Sequence, residues 1–337
     1  MKTLLVTGGA GFIGANFVRM VLDEHSDMKV VNLDVLTYAG NLENLDGYLD
    51  RENHVFVKGD ICDEALVTQL LKDYEIDSIV NFAAESHVDR SITGPKVFID
   101  TNVTGTLTLL QAARDKQVTK FLQVSTDEVY GSLGKEGMFT ETTNLSPNSP
   151  YSASKASADH LVAAFGHTFD LPYNITRCSN NYGAYQFPEK LIPLMINNAL
   201  HDRALPVYGD GLNVRDWLYV YDHCTAIWKV LTQAKVGEVY NIGGCNEKPN
   251  LEVVKLILSH LDKPESLIHF VNDRPGHDLR YAIDASKIMT ELGWAPSVTF
   301  EQGIAQTIDW YLSHTDWLNH IVSGDYQNYY KSMYQSR

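Results

Sequence analysis

Tyr151 and Lys155 stand four residues apart in the small-residue run Tyr151-Ser152-Ala153-Ser154-Lys155. Four residues is about one helical turn, so the two side chains share a face. An ammonium beside a phenol lowers the phenol pKa, and the tyrosinate can then take a proton from an alcohol while hydride leaves the same carbon. Upstream, Ser125-Thr126-Asp127-Glu128 closes the apolar run 120–124. Thr126 offers a hydroxyl partner for the substrate alcohol. Asp127 and Glu128 add something an oxidation does not need. A ketone acidifies the neighbouring C–H bond; a carboxylate can remove that proton and a carboxylic acid can protonate a departing hydroxyl. Residues adjacent in a strand face opposite ways, so the two acids must lie just past the regular strand to act together. In isolation, Tyr151 could be an aromatic at a helix start and the acid pair a charged surface.

Hydride needs an acceptor. Gly8, Gly11 and Gly14 follow the β-rich run 3–6 and enter residues 15–22, which have helical periodicity. In that setting the first glycine permits a tight turn and the second lets the backbone approach a pyrophosphate. The third lets the helix pack closely on the sheet, and the pyrophosphate sits on the helix N-terminus. Asp34 ends the next strand, 20 residues past Gly14. A carboxylate there can bind both hydroxyls of an adenosine ribose and would repel a 2′-phosphate, so the expected cofactor is NAD, not NADP. Asp60 ends the third strand, where it either lies near the adenine or caps a helix with Ile61-Cys62-Asp63.

These groups need a frame. Strands are expected over 3–6, 29–33, 55–57, 78–82, 120–124 and 174–178, with helices over 64–74, 98–114 and 152–169. Strands alternating with helices at this spacing give a mostly parallel sheet with right-handed crossovers. Uninterrupted apolar strands fit a sheet buried on both faces. The expected fold class is α/β: an NAD-binding Rossmann fold, mostly parallel sheet flanked by helices, with a smaller mixed α/β substrate-binding C-terminal domain. Residues 1–184 are assigned to the first domain, with about 212–245 returning to it, and 185–337 mainly to the second. That second part is expected to hold strand-and-turn segments near 205–211 and 239–244. Helices are expected near 226–231, 251–261, 300–311 and 325–334, with a polar loop over 271–277.

The chain has 337 residues, 44% of them hydrophobic, enough for a substantial core. Its 42 acidic against 27 basic residues, a formal charge of -15, argue against binding a nucleic-acid backbone. Local arginines and helix N-termini can still bind phosphate in an acidic protein. Cys62, Cys178, Cys224 and Cys245 lie far apart without metal-ligand spacing, so neither a metal site nor a disulfide framework is expected. No run approaches 18 apolar residues, so no membrane span is expected. The apolar start is too short for a secretion signal and runs straight into the glycine motif, so a soluble cytoplasmic protein is expected.

Together these motifs resemble the extended short-chain dehydrogenase/reductase family of nucleotide-sugar enzymes, the NAD-dependent epimerases and dehydratases, over nearly the whole chain. The runs that carry the resemblance are TGGAGFIGANF (7–17), LDVLTYAGNLENL (33–45), KGDICD (58–63), NFAAESHVDRSI (81–92), VSTDEVYG (124–131), YSASK (151–155), RCSNNYG (177–183), NVRDWLYVYDHC (213–224), YNIGG (240–244) and RPGHDLRYAID (274–284). The glycine and Tyr-x-x-x-Lys motifs specify only the large family. The runs around Asp127-Glu128, Ser86-His87 and 274–284 are narrower, because sugar epimerases usually carry a small residue pair in place of the two acids. One departure is the short insert between Gly131 and Pro150, which bears on loop contacts only.

The resemblance implies a hydro-lyase acting on dTDP-glucose. Tyr151 would oxidise position 4 of the glucose, with hydride passing to NAD. Glu128 would take the position 5 proton and Asp127 would protonate the position 6 hydroxyl, so that water leaves. Hydride would then return to position 6, giving dTDP-4-dehydro-6-deoxy-glucose, with the NAD tightly bound and regenerated each cycle. The product would feed dTDP-rhamnose or another deoxysugar. By the same resemblance, Ser86, His87, Asp89 and Arg90 line the sugar and nicotinamide region, and Asn180 holds a sugar or phosphate oxygen beside the cofactor. Glu189, Lys190, Arg215, Asn250, Arg274 and His277 surround the nucleotide diphosphate; guanidinium forks match its oxygens, while His277 fits a structural hydrogen bond equally well. Phe12, Ile13, Ile61, Ala83, Ala84 and Glu85 join the cofactor site, and residues Leu36-Thr37-Tyr38-Ala39-Gly40 wrap the ribose. Thr101 either touches the cofactor or stabilises its helix. The helices 98–114 and 152–169 would form a homodimer interface. Rival readings are a 4,6-dehydratase of CDP- or UDP-glucose, a 4-epimerase in which the acid pair is idle, and a non-catalytic NAD-binding regulator, which has no need of Thr126, Tyr151 and Lys155.

Overall fold

Short aliphatic and β-branched runs, broken by Gly, Asn and Asp, form the strands. In chain order these are β1 (Thr3–Thr7), β2 (Lys29–Asp34), β3 (His54–Lys58), β4 (Ser78–Asn81), β5 (Lys120–Thr126), β6 (Tyr173–Cys178), β7 (Asn180–Tyr182), β8 (Leu205–Tyr208), β9 (Val214–Tyr219), β10 (Val239–Ile242), β11 (Glu247–Pro249) and β12 (Ile268–Val271). The helices are α1 (Phe12–Glu24), α2 (Glu64–Asp73), α3 (Val88–Thr93), α4 (Pro95–Phe98), α5 (Thr106–Lys116), α6 (Pro150–Phe169), α7 (Leu191–Leu200), α8 (Val220–Gln233), α9 (Asn250–His260), α10 (Ser286–Leu292), α11 (Phe300–Ser313) and α12 (Thr315–Ile321). The computed structural model describes residues 1–273 and 277–322; the helix expected near 325–334 lies outside them.

Seven strands form one parallel sheet in the order β10-β6-β5-β4-β1-β2-β3. Val6 aligns with Asn32 of β2 on one side and with Val80 of β4 on the other. The chain therefore winds one way from β1 to β3 and the other way from β4 to β6. Between β1 and β4 the departing turns diverge and open a crevice at the carboxyl ends of the strands, where open α/β sheets bind ligands. A polar ladder pins this register: Thr7 Oγ1 donates to Asn81 Oδ1 at 2.6 Å and Asn81 Nδ2 to Gln123 Oε1 at 2.9 Å. A one-residue slip of β4 would strand these buried groups without partners.

Both sheet faces are covered. Leu4, Val6 and Val30 cluster with Phe17 and Val18 of α1 and Ile227 and Val230 of α8. Leu5, Val31, Ile79 and Phe121 cluster with Val67 and Leu71 of α2, Leu109 and Ala113 of α5 and Val162 of α6. Each such fully buried aliphatic side chain contributes roughly 1.5–3 kcal/mol. A smaller C-terminal α/β part has its own core, in which Tyr182, Ile196, Trp217, Val254, Ile257, Phe300 and Tyr311 meet. It contains the three-stranded sheet β11-β9-β7 and the pair β12-β8. The chain crosses back between the two parts, since α8 packs on α1 and β10 pairs with β6.

The helix expected over 98–114 is not one α-helix. Residues Ile99–Gly105 form a wider π-helical stretch between α4 and α5. Asn102 explains the widening. Its amide donates to the Glu85 carbonyl at 3.0 Å and to Ser154 Oγ at 2.8 Å, and its oxygen accepts the Glu85 N–H at 2.9 Å. Those bonds tie the helix to the segment after β4 and to α6, and the helical ladder yields around them.

Candidate active site

A cavity of about 420 Å³ lies over the carboxyl ends of β1, β4, β5 and β6. One end is the glycine turn. Gly8 has φ +70, and a Cβ there would meet the Ala83 nitrogen at 2.7 Å; a Cβ on Gly14 would meet the Gly8 carbonyl oxygen at 2.2 Å. Only glycine admits this approach of α1 to the sheet. Gly11 is the N-cap of α1 and has no side chain to cap it, so the first-turn N–H groups remain available to an anion. Asp34 receives the Ala10 N–H on Oδ2 at 2.9 Å and the Leu36 N–H on Oδ1 at 2.8 Å. Burial pushes its pKa up and these two bonds pull it back. Asp60 also lines the cavity and accepts the Cys62 N–H at 2.9 Å, whereas the cap of α2 is Asp63, which accepts the Leu66 N–H at 3.0 Å. Of the two uses open to Asp60, capping is therefore taken by its neighbour. Phe12, Ile13, Thr37, Ile61, Ala83, Ala84, Glu85, Thr101 and Asn180 complete this end, while Leu36 lies behind it with a left-handed φ of 57. A glycine cradle, a bare helix N-terminus and a carboxylate at the end of β2 fit a dinucleotide.

The other end holds Thr126, Asp127, Glu128, Tyr151 and Lys155, all in its wall. β5 stops at Thr126, and Asp127–Tyr130 turn as a 3-10 helix capped by Thr126, whose Oγ1 accepts the Glu128 N–H at 3.3 Å. The acids are thus off the strand, and both reach the cavity. Ser149 caps α6 in a reciprocal box with Ser152, and Pro150 starts the helix, which places Tyr151 in its first turn. Lys155 is buried and donates to the Val124 carbonyl at 2.8 Å.

The charges in this wall oppose one another. Burial drives the Asp127 pKa well above the usual carboxylate range; Glu128 and Asp216 drive it further, against Arg215 and a hydrogen bond with Thr126. Asp216 belongs to β9 and is held by N–H groups of Gly244 at 2.9 Å and Asn246 at 2.7 Å. Tyr151 is also raised well above its ordinary value, by burial first and then by Glu128, with a Thr126 hydrogen bond opposing. Lys155 is lowered by burial, against the pull of Asp159. Burial and Glu128 therefore raise the Tyr151 pKa, where its spacing to Lys155 predicts a lowering.

The remaining candidates fall into two groups. Ser86, Glu189 and Lys190 line the cavity. Glu189 is held by several groups: Tyr38 donates to Oε1 at 2.9 Å, and Oε2 lies 3.4 Å from Arg90 Nε and 3.9 Å from His87 Nε2. The Arg90 guanidinium covers the Tyr38 ring at 3.8 Å, and Lys190 donates to the Ser86 carbonyl at 2.9 Å. His87, Arg215, Asn250 and His277 are not in the cavity wall. Arg215 stacks on Tyr281 at 4.5 Å and donates to the Asp278 carbonyl at 2.9 Å, yet its charge reaches Asp127. The Asn250 N–H donates to the Asn213 carbonyl at 3.0 Å. His277 Nδ1 is 2.6 Å from Asp273, and Asp89 accepts from Tyr208 at 3.0 Å. Arg274 lies outside the described residues. Among the described residues no cluster of His, Cys, Asp or Glu is placed to hold a metal, and no helix is long and apolar enough to cross a membrane.

Sequence reasoning missed the buried support behind the acids. Arg177 of β6 donates to Asp159 of α6 at 2.9 Å and to Tyr130 OH at 3.0 Å, and Tyr130 donates to Asn241 of β10 at 2.8 Å. This chain ties the helix of Tyr151 and Lys155 to the turn of Asp127 and Glu128. A signal existed: an arginine inside the strand Tyr173–Cys178, and an acid one turn after Lys155. Removing one partner of a buried pair leaves the other charge uncompensated. Asp159→Ala is expected to lower the unfolding free energy by about 3–5 kcal/mol, read from urea midpoints; an unchanged midpoint would show the pair to be solvated.

A family model described as GDP-mannose 4,6 dehydratase matches residues 5–307. A dTDP-glucose 4,6-dehydratase of Xanthomonas campestris is 59% identical, covering 97% of this chain and 98% of its own. The crystal structure of a dTDP-glucose 4,6-dehydratase from Bacillus anthracis in complex with NAD is similar at a TM-score of 0.90 and 54% identity, over 95% of this chain and all (100%) of its own. One from Streptomyces venezuelae, also with NAD bound, gives a TM-score of 0.92 at 50% identity over 95% and 99% of the two chains. The glycine cradle, the Asp127-Glu128 turn and the Tyr151–Lys155 helix face one cavity on this shared fold, and the chain belongs to the dTDP-glucose 4,6-dehydratases of the extended short-chain dehydrogenase/reductase (NAD-dependent epimerase/dehydratase) family.

Proposed function

We infer that this chain is an NAD-dependent hydro-lyase that converts dTDP-glucose to dTDP-4-dehydro-6-deoxy-glucose and water. The observation that carries the reading is the acid pair at the end of β5, which shares one cavity with Tyr151, Lys155 and the glycine turn. Bound NAD supplies the hydride acceptor, and later donor, that oxidation at position 4 and reduction at position 6 require. Tyr151 takes the proton of the position 4 hydroxyl, with Thr126 as its hydrogen-bonding neighbour. Lys155 provides a nearby positive charge, anchored on the Val124 carbonyl. Glu128 removes the position 5 proton, made acidic by the adjacent ketone. Asp127 gives its own proton to the position 6 hydroxyl, so that water departs. Burial first, then Glu128 and Asp216, raise the Asp127 pKa well above the usual carboxylate range, which favours the proton-bearing form that this role needs. Glu189, Lys190, Arg215, Asn250, Arg274 and His277 serve the nucleotide diphosphate end in this reading. The exposed apolar side chains Ile92, Ile99 and Phe169, on α3, the π-helical stretch and α6, support a homodimer; a monomer mass by light scattering would overturn it.

The test is incubation with dTDP-glucose, followed by the alkali-induced absorbance of a 4-keto sugar. Signal from CDP- or UDP-glucose alone would reassign the nucleotide, and no signal from any would remove the dehydratase reading. A 4-epimerase would leave a buried, proton-bearing Asp127 without use. Asp34 makes a separate prediction. Its carboxylate at the end of β2 favours ribose hydroxyls and repels a phosphate, so titration of cofactor-free protein should show NAD binding well ahead of NADP. Tighter NADP binding would overturn the role of Asp34.

A further inference from the structure

Trp317, in α12, and Asn44 are 273 residues apart in sequence, yet the indole Nε1–H donates to Asn44 Oδ1 at 2.8 Å. Asn44 lies in the 3-10 turn Leu42–Leu45 and passes the contact on: its Nδ2 donates to the Ala10 carbonyl at 2.8 Å. The same carbonyl accepts the Asn41 N–H at 3.0 Å. Ala10 stands between Gly9 and Gly11 in the glycine turn, and its own N–H is the donor to Asp34 Oδ2 at 2.9 Å. A line of hydrogen bonds thus runs from α12 through the backbone of the glycine turn to the carboxylate expected to hold the ribose. Ala10 is 0%, Asn44 1% and Trp317 7% exposed, so the line is shielded from bulk solvent throughout.

An asparagine amide is an acceptor at one end and a donor at the other. The indole, which can only donate, and the Ala10 carbonyl, which can only accept, together fix which end of the amide faces which. Without the indole donor, Asn44 Oδ1 is buried without its partner, and the amide is held from one end only. The neighbouring aromatics make the helix a rigid arm: Trp310, Tyr185 and Tyr311 lie 5.1, 5.9 and 6.1 Å from the Trp317 ring. Tyr311 also donates to the Gln186 carbonyl at 2.6 Å, and Gln186 lines the cavity.

We propose that Trp317 is a positioning residue for the cofactor: through Asn44 it holds the Ala10 carbonyl, and with it the glycine turn and Asp34, in the shape that retains NAD. The proposal rests on the reading that this cavity binds NAD. It matters because a reaction that withdraws hydride and gives it back requires the same cofactor to stay through the cycle.

The test uses the full chain with NAD bound. Trp317→Phe keeps an aromatic ring in the cluster but removes the N–H together with the rest of the five-membered ring, so a packing control is needed beside it. Exchange of bound NAD for labelled NAD in excess should be about three- to tenfold faster, the worth of one hydrogen bond. The concentration of free NAD needed for half-maximal turnover should rise by a similar factor, while turnover returns when NAD is added. Trp310→Phe, in the same aromatic cluster, controls for packing and should exchange NAD at the parent rate even if it melts earlier. Wild-type exchange in Trp317→Phe, or equal acceleration in both variants, overturns the proposal. If Trp317→Phe does not fold, Asn44→Ser with the indole intact gives the same readout, and unchanged exchange there overturns it equally. The exchange assay needs no sugar, so a failure of the dTDP-glucose reading is scored separately from a failure of this one.

Discussion

Asp127→Asn still oxidises the sugar and forms reduced nicotinamide, but loses water about 10²–10⁴-fold more slowly, the usual worth of a positioned general acid. The replacement is nearly isosteric and removes a transferable proton from a fully buried site. The oxidation machinery is untouched: Tyr151 keeps Thr126, and Lys155 keeps its bond to the Val124 carbonyl at 2.8 Å. Reduced nicotinamide should therefore build up in a single turnover where the parent enzyme shows little. The sign of the pH effect follows from the raised pKa. Asp127 is the donor while protonated, so turnover should fall on the alkaline side as pH passes its elevated pKa, and the variant should lack that limb. Dehydration at the parent rate would remove Asp127 from the role of acid and transfer the question to Glu128.

Tyr151→Phe should fail earlier. Without the phenol there is no base for the position 4 hydroxyl, and formation of reduced nicotinamide should drop by about 10²–10⁴-fold with the keto sugar lost in parallel. The fold should survive, since the ring's edge contact with Phe98, at 6.3 Å, does not use the hydroxyl. The two variants thus separate the half-reactions: one accumulates reduced cofactor and the other forms almost none. If Tyr151→Phe oxidised substrate at the parent rate, another group would have to be the base. The tyrosine is held neutral in the protein by burial and by Glu128. Lys155, one turn along α6, is the residue placed to offset that shift, and bound NAD would add positive charge at the same site.

Local spacing carried much of this site. The glycine turn, Asp34 and the Tyr151–Lys155 pair are short-range patterns, because a turn, a strand end and one helical turn each confine their chemistry to a few consecutive residues. The position of the acids beyond β5 was also readable, since alternation along a strand forbids both from facing one cavity. What was not readable depended on groups brought together across the fold. The π-helical stretch at Ile99–Gly105 arises because Asn102 bonds to Glu85 and Ser154, neither of which is near it in sequence. The contacts of Glu189 with Tyr38, His87 and Arg90 likewise join residues far apart in sequence.

Sequence by itself determined the fold class and the preference for a dinucleotide and proposed the set of reacting side chains, all of which follow from periodicity and residue type. Only the tertiary structure decided which way the pKa values of Asp127, Tyr151 and Lys155 are pushed. The Asp127 pKa is raised first by burial, then by Glu128 and by the Asp216 that β9 brings toward it, and no spacing within residues 125–128 encodes the burial or the reach of Asp216. Charge and burial act through space, so the acid among two adjacent carboxylates is chosen by the neighbours that folding supplies.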